Sequence, residues 1–140
     1  MASLSLEHRL GQMLFVGIPG TTLDDGTRKL LQTVQPGGII LFARNIEQPE
    51  QLAELNGEIR RLLKVAPLIS IDQEGGRVDR LKKICPPMPP VQLLRALDDA
   101  RSAHEQGALT AALLRPLGFN MNFAPVVDLA VHEEADNALQ

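Results

Sequence analysis

Carboxylates, paired glycines and arginines crowd into ten consecutive residues, Asp72-Gln73-Glu74-Gly75-Gly76-Arg77-Val78-Asp79-Arg80-Leu81. Acids and guanidinium groups held this close have three uses. They can neutralise one another as an internal salt bridge. Asp72 can instead accept hydrogen bonds from substrate hydroxyls while Arg80 donates to a substrate oxygen. Or Asp72 and Glu74 can work as paired acids on a glycosidic bond, since residues i and i+2 of a strand lie roughly 6–7 Å apart, near the ~5–5.5 Å of a retaining pair. Two arguments weigh against the third use. Both carboxylates project from one strand toward the same side, whereas a retaining mechanism needs them to flank the bond. Like charges at that range also raise one pKa and leave a proton shared between them. We therefore assign Asp72 and Glu74 to binding and structure and name no catalytic residue in the chain.

These groups need a strand to deliver them and a turn to gather them. Leu68 to Ile71, opened by Pro67, has the length and β-branched content of a strand, so Ser70, Asp72 and Glu74 share one face while Ile69 and Ile71 share the other. Gly75-Gly76 lets the backbone turn sharply or use positive φ. Arg77 and Arg80, spaced i and i+3, fall on one side of a helical turn after the glycines.

The rest of the chain repeats a strand-and-helix rhythm. Ser5 caps a helix with apolar Leu6, Leu10, Met13 and Leu14, which leads into a strand from Leu14 to Ile18. Thr22 or Asp24 caps a helix through Leu30, Leu31 and Val34. After the Pro36-Gly37-Gly38 break comes a buried strand, Ile39 to Ala43. Next is a helix from Pro49 to Val65 with an inner stripe of Leu52, Leu55, Ile59 and Leu62. Between Gly75 and Pro90, prolines 86, 87, 89 and 90 rule out a continuous helix and predict a stiff loop folded over the strand ends. Val91 to Leu117 reads as helical with a break near Asp98 and Asp99, and its Ala100, Gly107, Ala108, Ala111 and Ala112 permit close packing. Met121 to Val127 reads as a fourth strand that turns Asn122 into the same interior as Ser70. Asp128, just past its end, is either functional or a cap.

Composition narrows the class. A net charge of -3 offers no broad basic field for nucleic acid. No stretch approaches a membrane span, and the MASLSLEHRLG start lacks a signal-peptide core, so the expected location is cytoplasmic. The one cysteine, Cys85, has no thiol partner. His132 with Glu133, Glu134 and Asp136 reads as a solvated acidic run, because no second histidine sits at ligand spacing; no metal and no cofactor are expected. His104 reads as a helix-surface residue. With no Trp or Tyr, sugar recognition here would lean on hydrogen bonds rather than stacking.

Strand and helix alternate four times, the pattern of a parallel α/β sheet with right-handed crossovers. Four such units fit a small doubly wound sheet or the first half of an eight-stranded barrel, and in either one ligand groups collect at the strands' C-terminal ends, where Asn45, Asp72, Arg77 and Asp128 fall. The Asp72 to Leu81 run resembles the signature of glycoside hydrolase family 3, in its bacterial β-N-acetylhexosaminidase branch. Gly37-Gly38-Ile39-Ile40-Leu41-Phe42-Ala43-Arg44-Asn45 and Asn122-Phe123-Ala124-Pro125-Val126-Val127-Asp128 are similar to that family's second- and fourth-strand segments. The resemblance covers nearly the whole chain. It implies an α/β fold, the N-terminal half of a (β/α)8 TIM-type barrel of about four βα units, with residues 1–140 as a partial N-terminal domain. It also implies retaining hydrolysis of terminal β-linked N-acetylglucosamine in cell-wall recycling, with N-acetylglucosaminides and muropeptide-like sugars as substrates. Asp72 and Arg80 match the family's substrate contacts, while its Asp nucleophile and His-Asp acid/base come later than this chain reaches. Half a barrel leaves open sheet edges, so self-association is expected. The alternative is a non-catalytic sugar-binding or interaction module of the same α/β fold.

Overall fold

The computed structural model describes residues 4–127. Helix α1 (Leu6–Gly11) leads into strand β1 (Phe15–Gly17), and α2 (Asp25–Val34) into β2 (Gly38–Leu41) with a 3-10 turn at Ala43–Asn45. Helix α3 (Pro49–Leu62) precedes β3 (Leu68–Ile71); α4 (Val91–Leu97) and α5 (Ala100–Leu114) precede β4 (Met121–Asn122). The four strands form one parallel sheet in sequential order. Parallel neighbours in sequential order with helical crossovers are the expected α/β architecture.

Local chemistry sets most boundaries. Ser5 Oγ accepts the His8 amide at the start of α1. Asp24 accepts the Thr27 amide at 2.6 Å to start α2. Gln35 then ends α2 in the left-handed region at φ 51°. Pro49 occupies the first turn of α3, where its missing N–H costs nothing. The break between α4 and α5 falls where the sequence places it: Asp98 is left-handed at φ 47°, and Asp99 accepts the Arg101 and Ser102 amides.

The core lies on the helix-covered face of the sheet. Ile39, Leu41, Ile69 and Ile71 are fully buried, and Leu31, Leu52, Leu55, Ile59, Leu114 and Leu117 are buried with them. On the opposite face the sheet curls: the Phe15 and Phe123 rings, from the first and last strands' surroundings, meet edge-on with centroids 5.7 Å apart. In a flat sheet three spacings of ~4.8 Å would hold those strands about 14 Å apart. Gly38 makes room for this closure, because a Cβ there would run into the Phe15 ring.

Several expectations are corrected. The stripe on α1 is not buried: Leu6, Leu10, Met13 and Leu14 are all exposed. That helix docks instead through Gly11, where a Cβ would strike the Val34 carbonyl, and through Gln12, whose Nε2 donates to Gln35 O at 2.7 Å. Leu30 of α2 is likewise exposed and only Leu31 is buried. The small residues of α5 do not serve close packing among the described residues, since nothing lies within 4 Å of a Cβ built on Gly107.

The fourth strand is shorter than expected and in a different register. Ser70 is paired with Met121 and Ile71 with Asn122, so Asn122 lies on the face of Ile71 and not on that of Ser70. The reason is a side-chain substitute for the ladder. Asn122 accepts the Gln73 amide at 2.9 Å and donates to Gln73 O at 3.1 Å. Asn120 does the same at the other end of β3, accepting from Ile69 N at 2.7 Å and donating to Pro67 O at 3.0 Å. Two amide side chains thus carry the pairing of a two-residue strand past both ends of β3, from Pro67 to Gln73. Replacing Asn122 by Ala leaves the Gln73 amide and carbonyl without those partners, at about 1–3 kcal/mol each when buried. Asn122→Ala should lower the urea midpoint and speed hydrogen exchange at the Gln73 amide, and an unchanged exchange rate there would show that the ladder substitute is idle.

Candidate functional site

The alternation of β3 continues past its last paired residue. Asp72 and Glu74 are partly exposed, while Gln73 is 3 % exposed. Beyond Gln73 the chain reverses: Gly75 and Gly76 take φ +91° and +57°, conformations that favour glycine. The Glu74 and Gly75 amides both reach Val78 O, and Val78 N returns to Gly75 O. This antiparallel bridge between Gly75 and Val78 replaces the helical turn expected for Arg77 and Arg80. The paired glycines close a tight reversal instead of opening a helix.

The reversal brings Arg80 back over the end of β3. Its guanidinium meets Asp72 Oδ2 at 3.3 Å and lies 5.9 Å from the centroid of the Phe42 ring at the end of β2. Arg44 sits over the same ring at 4.6 Å and donates to Ile18 O. Asp72 and Arg80 are each about a quarter exposed, at 23 % and 28 % of their side chains. A half-screened ion pair contributes little to stability by itself, yet both partners keep a face open to a ligand. Burial pushes the Glu74 carboxyl above its ordinary range, the Asp72 charge pushes it further, and Arg80 partly opposes them. Among the groups expected at the strand ends, Asn45 is spent on structure. It is buried, accepts the Phe42 amide and donates to Ile18 O and Gly20 O.

What the sequence did not disclose is the layer beneath. Gln73 Oε1 accepts the Arg80 and Leu81 amides at 2.9 and 3.2 Å, and its amino group donates to Asp79 Oδ1 at 2.9 Å. Asp79, 5 % exposed, also accepts from Leu81 N at 3.1 Å and Met88 N at 2.9 Å. The available signal was parity: Gln73 falls on the Ile69 and Ile71 face, where a polar side chain must find partners.

A cleft of about 900 Å³ opens on another side, between α4, α5 and β4, with Gln73, Glu74, Leu94, Thr110, Asn122 and Pro125 in its wall. Neither Asp72 nor Arg80 lines it. It runs along the edge strand and its wall is largely apolar, so the polar end of β3 is the better place for a hydrogen-bonding ligand. Asp128, His132, Glu133, Glu134 and Asp136 lie outside the described residues. His104 is exposed on α5, and Cys85 is a half-buried free thiol packed against the core.

Comparison with known proteins agrees with this geometry. Residues 5–138 match the family model described as the glycosyl hydrolase family 3 N terminal domain. A β-hexosaminidase of Nitrosomonas eutropha is 40% identical over 122 residues, covering 83% of this chain and 35% of the relative. One from Pseudomonas aeruginosa is 40% identical over 120 residues, with 83% and 35% covered. The chain therefore spans about a third of the length of these curated relatives. Among solved structures, a family 3 β-N-acetylglucosaminidase from Paenibacillus sp. str. FPU-7 superposes with a TM-score of 0.83 at 41% identity, covering 88% of this chain and 24% of that one. NagZ from Neisseria gonorrhoeae, in a complex with N-trifluoroacetyl-D-glucosamine, matches with a TM-score of 0.64 at 30% identity, covering 83% and 36%. With its four-stranded parallel sheet and the Asp72–Arg80 turn in place, the chain belongs to glycosyl hydrolase family 3, of which it is N-terminal domain sequence.

Proposed function

We propose that this chain supplies the sugar-binding end of β3 to a retaining β-N-acetylhexosaminidase that removes terminal β-linked N-acetylglucosamine from cell-wall-derived, muropeptide-like sugars in the cytoplasm. The observation that carries the reading is the partly open Asp72–Arg80 pair at the C-terminal end of a parallel strand, where ligand groups gather in such sheets. A carboxylate with a free lone-pair face accepts sugar hydroxyls, and an adjacent guanidinium donates to a ring substituent or hydroxyl oxygen. The pair keeps both side chains oriented before the sugar arrives, which reduces the ordering cost of binding. The binding of an N-acylglucosamine analogue by the Neisseria gonorrhoeae relative supports the choice of sugar. In this reading the nucleophile and the acid/base lie beyond residue 140, and eight-stranded closure is completed there.

Glu74 has a distinct part. Burial and the Asp72 charge make its carboxyl harder to ionise than in water, with Arg80 partly opposing them, so a negative charge there is disfavoured by its surroundings.

In the full-length gene product, Asp72→Ala should lower kcat/KM for a chromogenic β-N-acetylglucosaminide more than Arg80→Ala does. Each lost charged hydrogen bond is worth about 1.5–3 kcal/mol, or roughly ten- to a hundred-fold. Unchanged kcat/KM in Asp72→Ala would make the acid structural, and saturable sugar binding without any turnover in the unmodified protein would favour a non-catalytic module. A group whose carboxyl is raised on folding stabilises the protein below its unfolded pKa and loses that contribution as pH rises through the folded value. Glu74→Gln should therefore match the parent in thermal midpoint at about pH 4 and exceed it at pH 7; equal midpoints at both would remove the strain assigned to the Glu74 charge. The purified 140-residue chain should release no chromophore above background and should self-associate on size-exclusion chromatography through the open edges of β1 and β4. Release that disappears in Glu74→Gln would instead make the end of β3 the catalytic element, and a monomer at all concentrations would rule out edge pairing.

A further inference from the structure

Five residues after Cys85 read Pro-Pro-Met-Pro-Pro. Proline has no N–H, so Met88 holds the only backbone donor of that run. That donor goes to Asp79 Oδ2 at 2.9 Å, inside the protein. The Met88 carbonyl faces the other way along the same contact and accepts the Gly76 amide at 3.0 Å. The glycines leave no gap for anything else: a Cβ at Gly75 would collide with the Pro89 carbonyl, and one at Gly76 with Pro90. The proline segment is thereby clamped onto the glycine reversal and the Asp79 side chain through both backbone polar groups of one residue, Met88.

Asp79 is also an acid with no cation against it among the described residues. Its three partners are all N–H groups, from Gln73, Leu81 and Met88. A buried carboxylate needs such donors to offset its lost hydration. Gln73 cannot turn its amide round, because its oxygen already accepts the Arg80 and Leu81 amides. The backbone of Arg80 is therefore positioned by Gln73, and Gln73 is oriented by Asp79.

We infer that Asp79 is a positioning residue for the sugar site, a buried latch that uses the lone N–H of the proline segment and the Gln73 amide to place Arg80 against Asp72. The inference rests on the reading of Asp72 and Arg80 as sugar contacts and names what sets their geometry. Asp79→Asn is the natural probe. It keeps the shape but puts an NH2 group in place of one carboxylate oxygen, so either the Met88 amide, which meets Oδ2, or the Gln73 and Leu81 donors, which meet Oδ1, lose their acceptor. The first loss frees the proline segment from the reversal, and the second frees Gln73 and with it the Arg80 backbone.

The test is a double-mutant cycle in the full-length gene product, read as kcat/KM for a chromogenic β-N-acetylglucosaminide, with amide hydrogen exchange of Gly76 and Arg80 followed alongside. Asp79→Asn is expected to lower kcat/KM at least tenfold, mainly through KM, and to speed exchange at both amides. In an Arg80→Ala background the same change should cost less than twofold, because residues acting through one contact are not additive. Equal costs in the two backgrounds, or faster exchange with unchanged KM, would make Asp79 a stabilising residue only and overturn the inference. An Arg80→Ala variant that itself keeps full kcat/KM would instead sink the sugar-contact reading, while the exchange rates still report whether the latch exists. If Asp79→Asn does not fold, Met88→Pro removes the same N–H from the other side in a segment already made of prolines. Unaltered exchange at Arg80 in that variant would count against the latch.

Discussion

The burial of one carboxylate constrains the whole C-terminal end of β3. Asp79 is almost fully removed from water without a basic partner among the described residues, so three N–H groups must converge on it. Those donors come from three places: the Gln73 side chain two residues past the strand, the turn beyond the glycines, and the proline segment nine residues on from Asp79. Satisfying the charge therefore forces strand end, reversal and loop into one arrangement. Arg80 reaches Asp72 because the chain between them has no other way to lie.

The sheet supplies the frame for that arrangement. Its helix-covered face is a continuous apolar layer, whereas its other face carries Phe15, Ile40, Ser70 and Met121 at paired positions. The curl that joins the Phe15 and Phe123 rings turns this second face inward. Residues at the strand ends, Phe42, Asp72 and Arg80 among them, are consequently drawn toward one another. The edge at β4 is held by the Asn120 and Asn122 side chains as well as by backbone pairing, since amide side chains carry the same donor and acceptor as a peptide group.

The visible part of the site and its hidden support differ in how they announce themselves. Asp72 and Arg80 stand out in the sequence because charged residues beside a glycine pair at the end of an apolar run are unusual. Gln73 and Asp79 sit in the same run, yet each reads there as one more polar loop residue. Their importance comes from burial, and burial depends on the proline segment folding back, a contact that no local pattern encodes. Asn45 illustrates the converse: its place at a strand end marks it as a ligand group, but three backbone partners nearby already use up its amide.

By itself the sequence determined the order of elements, the cap at Ser5, a second cap at Thr22 or Asp24, the break near Asp98 and Asp99, and the two faces of β3. These follow from periodicity and from side chains that bond within a few residues of themselves. Only the tertiary structure decided which periodic stripes are buried. The apolar side of α1 stays exposed because Gly11 gives a closer approach than its leucines could. It also decided the register that turned Asn122 away from Ser70, the reversal that replaced a helical turn at Arg77, and the partners of Asp79. Each of these depends on groups distant in the chain competing for the same hydrogen bond or the same space, and spacing along a sequence carries no record of that competition.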